Sequence, residues 1–259
     1  MTDPMPRVPL TADLSLPMVG FGTWQLNATE AYDATRVALD TGYRHIDTAT
    51  LYGNEADVGR AIRDSGVPRD ELFVTTKLPP DRVNRVRSTL EQSLRLLGLD
   101  HVDLWLIHWP PSGTAAVDTW REFIEQRDAG LTTTIGVSNY DLGFIDELAA
   151  ATGEAPAVNQ ISWSPTRFDP VLVEGHRERG VVLEGYSPLK KTNLRDATLV
   201  EIAGDHGVTP AQVVLRWHLE HEIPVIPRSS KAERVVSNFD LFGFSLSGDE
   251  VKRIDAMGG

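Results

Sequence analysis

The sequence predicts an α/β fold of the (β/α)8 type, the TIM barrel, and three observations carry that prediction. From Ala31 onward, short apolar runs alternate with amphipathic segments, the rhythm of a parallel sheet covered by helices. Eight such runs are readable as strands, near 19–22, 43–47, 72–77, 102–108, 132–137, 157–161, 181–186 and 223–227. The runs also finish alike, in charged, polar or aromatic residues, and a parallel barrel gathers strand ends at one rim, where barrels of this kind carry their active sites.

Ahead of the first strand, Val8-Pro9-Leu10 and Leu14-Ser15-Leu16, joined by Thr11-Ala12-Asp13, read as a β-hairpin placed to plug the bottom of the barrel. Helices are expected near 29–41, 54–65, 82–97, 116–129, 141–151, 170–179, 209–221 and 231–241. In the third, Val83, Val86, Leu90, Leu94 and Leu97 recur at steps of three and four and form one buried stripe. Thr209-Pro210-Ala211-Gln212 supplies an N-cap hydroxyl, a proline at the first helical position and a glutamine to close a capping box. Ser247-Gly248-Asp249-Glu250 repeats the pattern for a short C-terminal helix through about Ala256. No Pro/Gly/Ser-rich linker, charge block or repeat interrupts the pattern, so residues 1–259 are expected to form a single barrel domain.

Composition narrows the function classes. With 41% hydrophobic and 24% charged residues the chain is that of an ordinary globular protein, and no run approaches the roughly 18 apolar residues of a membrane span. The start, Met1-Thr2-Asp3-Pro4-Met5-Pro6, lacks the basic and apolar parts of a secretory signal, which leads to a cytoplasmic expectation. The absence of cysteine removes disulfides and thiol catalysis. A net charge of −12 repels polyanions, so neither nucleic acid nor an anionic membrane is an expected partner. Arg228, Lys231 and Arg234 form a local exception.

The chemistry rests on Asp47, Tyr52, Lys77 and His108, each at or just beyond a strand end. A phenol is a weak acid, with a reference pKa of about 10. An ammonium beside it favours the phenolate, lowers that pKa and eases proton donation to a developing alkoxide, while a carboxylate such as Asp47 keeps a buried lysine charged. His108 can then orient a carbonyl oxygen near the phenol. The set suits carbonyl reduction. His45 and Asp47 also form a His-x-Asp pair open to a metal reading, as in a metal-dependent barrel hydrolase. No cysteine, second His-rich strand end or His-Glu-x-x-His helix supports it, so no metal is expected. Further round the rim, Ser138, Asn139 and Gln160 can bond a carboxamide, Tyr186 offers a ring for stacking, and Arg228 and Arg234 can bind phosphate. These suit a nicotinamide dinucleotide, although no Gly-x-Gly-x-x-Gly follows the first strand.

Asp47-Thr48-Ala49-Thr50-Leu51-Tyr52-Gly53-Asn54-Glu55, Leu106-Ile107-His108-Trp109-Pro110 and Ile226-Pro227-Arg228-Ser229 stand in the order of three signatures of the aldo-keto reductase family. The chain resembles that family from about Met18 to Ala256, and in particular its short prokaryotic members of the 2,5-diketo-D-gluconate reductase kind. The resemblance implies a monomeric barrel that reduces small aldehydes and ketones with NADPH, with Tyr52 as acid and Asp47, Lys77 and His108 in support. It also implies that Gly22, Thr23 and Trp24 border the nicotinamide, that Trp24 and Trp109 wall the substrate pocket, and that Asn238 reaches the adenine. Ser187, Leu189, Ser229 and Ser230 complete the implied cofactor set. Arg228 and Arg234, helped by Ser229 and Lys231, can meet a 2′-phosphate with charge-assisted hydrogen bonds. The alternative is a cofactor-binding sensor or regulatory barrel with little turnover.

Three departures from the common pattern bear on the substrate and the cofactor. Pro79-Pro80 stands where many relatives have Trp-Asn, Ser162-Trp163-Ser164-Pro165 where a Glu and a His are common, and Lys190-Lys191-Thr192-Asn193 is a short loop. Pro79-Pro80, with the chain ending at Met257-Gly258-Gly259, leads to an open pocket and broad, weak recognition of small aldehydes and dicarbonyls, while the short loop weakens the clamp over the pyrophosphate, an effect its two lysines offset.

Overall fold

The computed structural model describes residues 5–258. It begins with an antiparallel hairpin, β1 (Arg7–Pro9) and β2 (Ser15–Pro17), in which Val8 faces Leu16. Leu16 is fully buried against Phe73, Leu104, Leu106 and Val158, with Leu10 and Leu14 beside it. The hairpin therefore closes one end of the sheet, as the sequence led us to expect.

Eight parallel strands follow: β3 (Phe21–Gly22), β4 (His45–Asp47), β5 (Phe73–Leu78), β6 (Val102–Ile107), β7 (Thr132–Ser138), β8 (Val158–Ser162), β9 (Val182–Tyr186) and β10 (Val225–Ile226). They are hydrogen-bonded in sequence order. The two edges then meet through a parallel bridge between Val19 and Val225. Val225 N donates to Met18 O at 2.9 Å, Gly20 N to Val225 O at 2.9 Å and Gly22 N to Pro227 O at 3.1 Å. The short strands β3 and β10 thus complete a (β/α)8 barrel without leaving an open edge.

Outside the sheet lie α1 (Ala28–Thr41), α2 (Glu55–Ser65), α3 (Val86–Leu97), α4 (Val117–Asp128), α5 (Leu142–Thr152), α6 (Pro170–Glu178), α7 (Ala197–His206), α8 (Pro210–Glu220), α9 (Ala232–Phe239) and α10 (Gly248–Asp255). The capping boxes at Thr209/Gln212 and Ser247/Glu250 both form. Two expectations need correction. Helix α7 was not read from the sequence, although Asp196 caps it, Gly207 ends it at φ 67°, and Leu199, Ile202 and Ala203 form its buried face. The helix expected at 82–97 is instead a 3-10 turn at Pro80–Arg82 followed by α3, because Arg85 adopts φ −144° and breaks the run.

Period-two alternation divides each strand between two environments. Ile46, Val74, Trp105, Ile107 and Val137 face outward into the main apolar cluster beneath the helices. The other parity faces inward, and along β4, β5, β8 and β9 it carries His45, Asp47, Thr75, Lys77, Gln160 and Glu184, all buried. The barrel interior is thus apolar at the hairpin end and polar towards the rim. Gly20 makes room in this polar layer, since a Cβ there would stand 2.4 Å from His45 Nδ1.

Candidate active site

Lys77, at the inward parity near the end of β5, is completely buried, and its ammonium is surrounded by oxygen. Nζ donates to Asp47 Oδ1 at 2.6 Å, to Asp47 Oδ2 at 2.7 Å and to Thr48 O at 2.9 Å, and it lies 3.5 Å from Tyr52 Oη. Burial by itself would lower the lysine pKa, but the charge and hydrogen bond of Asp47, with Tyr52 and Glu184 beside it, together outweigh it, so the net shift is upward and the ammonium stays charged.

Tyr52 occupies a single 3-10 turn, Thr50–Tyr52, closed by Gly53 at φ 68°. Thr50 Oγ1 donates to Lys77 O at 3.0 Å, which ties the turn to β5. Asn54 Nδ2 donates to Thr23 O at 2.9 Å and to Leu26 O at 3.0 Å, which ties the same loop to the segment after β3. Thus two neighbouring loops fix the phenol's position rather than its own backbone alone. Burial pushes the phenol above its ordinary pKa, and Lys77 draws it back only in part. The ammonium alone predicts a lowered value. Loss of water around the ring reverses that direction.

The His108 ring meets Tyr52 edge-on, with centroids 5.7 Å apart. Burial and the Lys77 charge hold its pKa down to about 3, so the imidazole is neutral, and its Nδ1 is sealed without a hydrogen-bond partner. Trp24 and Trp109 stand 37% and 47% exposed, with Leu51 beside Tyr52 more open still. Lys190 Nζ lies 4.7 Å from the centre of the Trp24 ring, a cation–π contact that joins the loop after β9 to the loop after β3.

The residues read as carboxamide partners form a connected network. Ser138 Oγ donates to Gln160 O at 2.8 Å, Asn139 Nδ2 donates to Ser138 Oγ at 2.9 Å and to His108 O at 3.2 Å, and Tyr186 Oη donates to Asn139 Oδ1 at 2.8 Å. Asn139 and Ser187 both adopt positive φ, 63° and 55°, where the strand ends turn outward. Thr23 is buried and donates to Asp47 O at 3.0 Å. Leu189 packs against the apolar clusters under the helices.

The cations sit apart from this network. Arg228 is exposed and donates from Nη2 to Gln25 Oε1 at 3.2 Å. Ser229 Oγ accepts from Lys231 N at 3.0 Å at the start of α9, Ser230, Lys231 and Arg234 are exposed there, and Asn238 is buried one turn further on. Among the described residues none of Arg228, Lys231 and Arg234 forms an ion pair.

The description of the Aldo/keto reductase family matches residues 18–258 of the chain. This chain belongs to the aldo-keto reductase family. It is 44% identical over 243 residues to the 2,5-diketo-D-gluconic acid reductase B of a Corynebacterium species, covering 92% of this chain and 88% of that protein. The crystal structure of an aldo/keto reductase from Brucella melitensis superposes with a TM-score of 0.95 at 39% identity, covering 99% of each chain. That of a Bombyx mori aldo-keto reductase in complex with NADP superposes with a TM-score of 0.92 at 33% identity, covering 97% of this chain and 92% of that one. Membership makes the chain an oxidoreductase of a family that typically uses NADP(H) for carbonyl reduction. No helix among the described residues is long and apolar enough to cross a membrane.

The sequence reading missed two members of this aldo-keto reductase barrel's polar layer. Glu184 lies wholly buried inside β9, next to Gln160 in the sheet register. Burial, and then the Asp47 charge, push its carboxyl up to about 8. His45, noted only as a possible metal ligand, turns Nδ1 towards Glu184 Oε1 at 3.7 Å. Burial first, then Lys77, hold its ring down to about 3. The signal was one acidic residue inside the apolar run Val181-Val182-Leu183-Glu184.

Proposed function

We propose that this protein reduces small aldehydes and ketones to alcohols with NADPH and that Tyr52 is the proton donor. The observation that carries the proposal is the Lys77 ammonium, held by both Asp47 oxygens and set 3.5 Å from the phenol. NADPH, when bound, supplies the hydride. Tyr52 Oη gives its proton to the carbonyl oxygen as that oxygen becomes an alkoxide, a stronger base than a phenolate, so a phenol of raised pKa remains a competent acid. The phenolate left behind is met by Lys77. His108, neutral beside the phenol, donates a hydrogen bond to the same oxygen and orients it. Asp47 keeps the ammonium charged throughout.

The residues present fit the cofactor. Gly22 lies where the backbone at the end of β10 comes close, and a Cβ there would stand 3.0 Å from Ile226 O and 3.6 Å from the Arg228 Cβ. Beyond it the exposed Arg228, Lys231 and Arg234, without ion pairs among the described residues, supply charge for phosphate groups on a chain of net charge −12. Tyr186 presents a half-buried ring and Asn238 a buried amide. The Corynebacterium relative's name, together with Pro79-Pro80 after β5, supports small oxygenated carbonyl compounds as substrates.

The decisive experiment is a turnover screen of aldehydes, dicarbonyls and keto-sugars with NADPH and NADH side by side. Oxidation of NADPH with small carbonyls is expected. NADPH binding without turnover across the panel would establish the regulatory alternative instead.

A further inference from the structure

Gln160 makes two hydrogen bonds from one atom. Its Nε2 donates to Asp47 Oδ2 at 2.8 Å and to Glu184 Oε2 at 2.8 Å. The two hydrogens of an amide nitrogen lie in the amide plane, so two acceptors determine the plane as well as the end of the group that faces them. A flipped amide would set its carbonyl oxygen against the Asp47 oxygen that already accepts from the Lys77 ammonium. The arrangement seen is therefore the one the charges require. The Gln160 backbone is held too, since its carbonyl accepts from Ser138 Oγ at 2.8 Å and from Asn139 N at 3.0 Å. Gln160 Oε1 remains. It is not among the sealed, unpartnered atoms, and no described group donates to it.

Glu184 has no other visible task. Its Oε1 and His45 Nδ1 face each other at 3.7 Å, and neither has a hydrogen-bond partner. A buried carboxyl in this position is costly, and lower in the same interior the inward positions are filled by Phe73, Leu104 and Leu106. Protonated or ionised, Glu184 keeps an oxygen that can accept from Gln160.

We propose that Glu184 is a positioning residue for cofactor recognition. By taking the second N–H of Gln160, it turns the Gln160 carbonyl oxygen to the rim, where that oxygen accepts from the N–H of a nicotinamide carboxamide. The inference rests on the NADPH reading above. It makes the Asp47–Gln160–Glu184 chain a link between the proton-donating centre and the end of the cofactor that reacts.

The test compares binding of NADP+ with that of its 3-acetylpyridine analogue, which carries a methyl where the carboxamide has its NH2. Affinities are read by equilibrium titration without a carbonyl substrate, so turnover plays no part. The wild type should favour NADP+ by roughly three- to tenfold, the worth of one ordinary hydrogen bond. Glu184→Thr suits a strand but cannot reach Gln160, and it should bring the ratio close to one, chiefly by weakening NADP+. Glu184→Gln keeps an acceptor oxygen and should restore the preference. Glu184→Met, nearer in volume, serves if the threonine variant does not fold, with the same loss expected. An undiminished preference in the threonine or methionine variant would overturn the proposal, as would equal loss in Glu184→Gln. Binding of both cofactors by the wild type without discrimination would overturn this inference alone. Binding of neither would overturn the NADPH reading and this inference with it.

Discussion

Lys77, Asp47, Gln160 and Glu184 are each at most 2% exposed, whereas Arg228, Lys231 and Arg234, on the same rim, lie open to solvent without ion-pair partners among the described residues. In the sealed layer every charge is matched within 3 Å, because an unmatched charge there has no water to turn to, and the pKa shifts that result determine which groups hold protons. In the open loop the charges are unmatched and stay hydrated, which leaves them free for an anion. The first region is built to hold a proton at one atom, the second to select a ligand by charge. Substitutions in the two should fail in different ways.

The largest effect is expected from Tyr52→Phe, which keeps the ring and removes the proton. Turnover should fall by at least roughly 10²–10⁴-fold, with NADPH affinity little changed. A near-normal kcat would remove Tyr52 from its role. Lys77→Met breaks the sealed pair from one side and strands Asp47, at a cost of about 3–5 kcal/mol in unfolding free energy as well as loss of turnover. Adding Asp47→Leu should recover part of that stability in urea titrations without recovering activity. A single Lys77→Met variant as stable as the wild type would show that the layer is wetter than the contrast requires.

In the open loop, Arg234→Ala should weaken NADPH by roughly tenfold and NADH little, without affecting stability, since it removes a charge-assisted contact that the folded chain does not itself use. Added salt should weaken NADPH binding by the wild type for the same reason. Equal weakening of both cofactors in the variant would take the 2′-phosphate away from Arg234.

The smallest effect expected is a pH dependence of stability that comes from the sealed groups. His45 and His108 are held down to about 3 and His218 to about 4, all from an ordinary 6.5. Below 6.5 the unfolded chain therefore takes up protons that the folded one refuses, and stability falls as pH falls. Glu184 acts in the opposite sense. Its carboxyl moves from 4.5 up to about 8, so the folded state keeps a proton that the unfolded state releases, and that contribution is lost as pH rises from 4.5 through 8. Burial lowers His176 as well and raises Glu55 in the same sense as Glu184. Histidines outnumber glutamates below 6.5 and the glutamates act without them above it, so stability should peak near pH 6.5 and decline towards pH 8. The slope per proton is about 1.4 kcal/mol per pH unit. Denaturant titrations at several pH values should show that decline shrink in Glu184→Gln. An undiminished decline there would locate the titrating group elsewhere.

Much of this molecule was legible as a string. The alternation of runs, the hairpin ahead of them and the capping signals at Thr209 and Ser247 are local, and a (β/α)8 barrel repeats local units in order. Asp47, Tyr52, Lys77 and His108 could be found because each sits where a strand stops, and a parallel sheet turns that position into a place in space. Helix α7 was equally local and was overlooked, although Asp196, Leu199, Ile202, Ala203 and Gly207 spell it out. What the string could not determine depends on contacts across the barrel. Gln160 is 113 positions from Asp47 and 24 from Glu184, and its amide has a direction only because both carboxyls are present. The raised Tyr52 pKa has the same origin, since a sequence reveals the neighbouring ammonium but not how much water the surrounding loops remove. Backbone pattern, caps and strand ends were fixed by neighbours along the chain, while proton positions and amide directions were decided by dielectric and distance, which exist only once the barrel has closed.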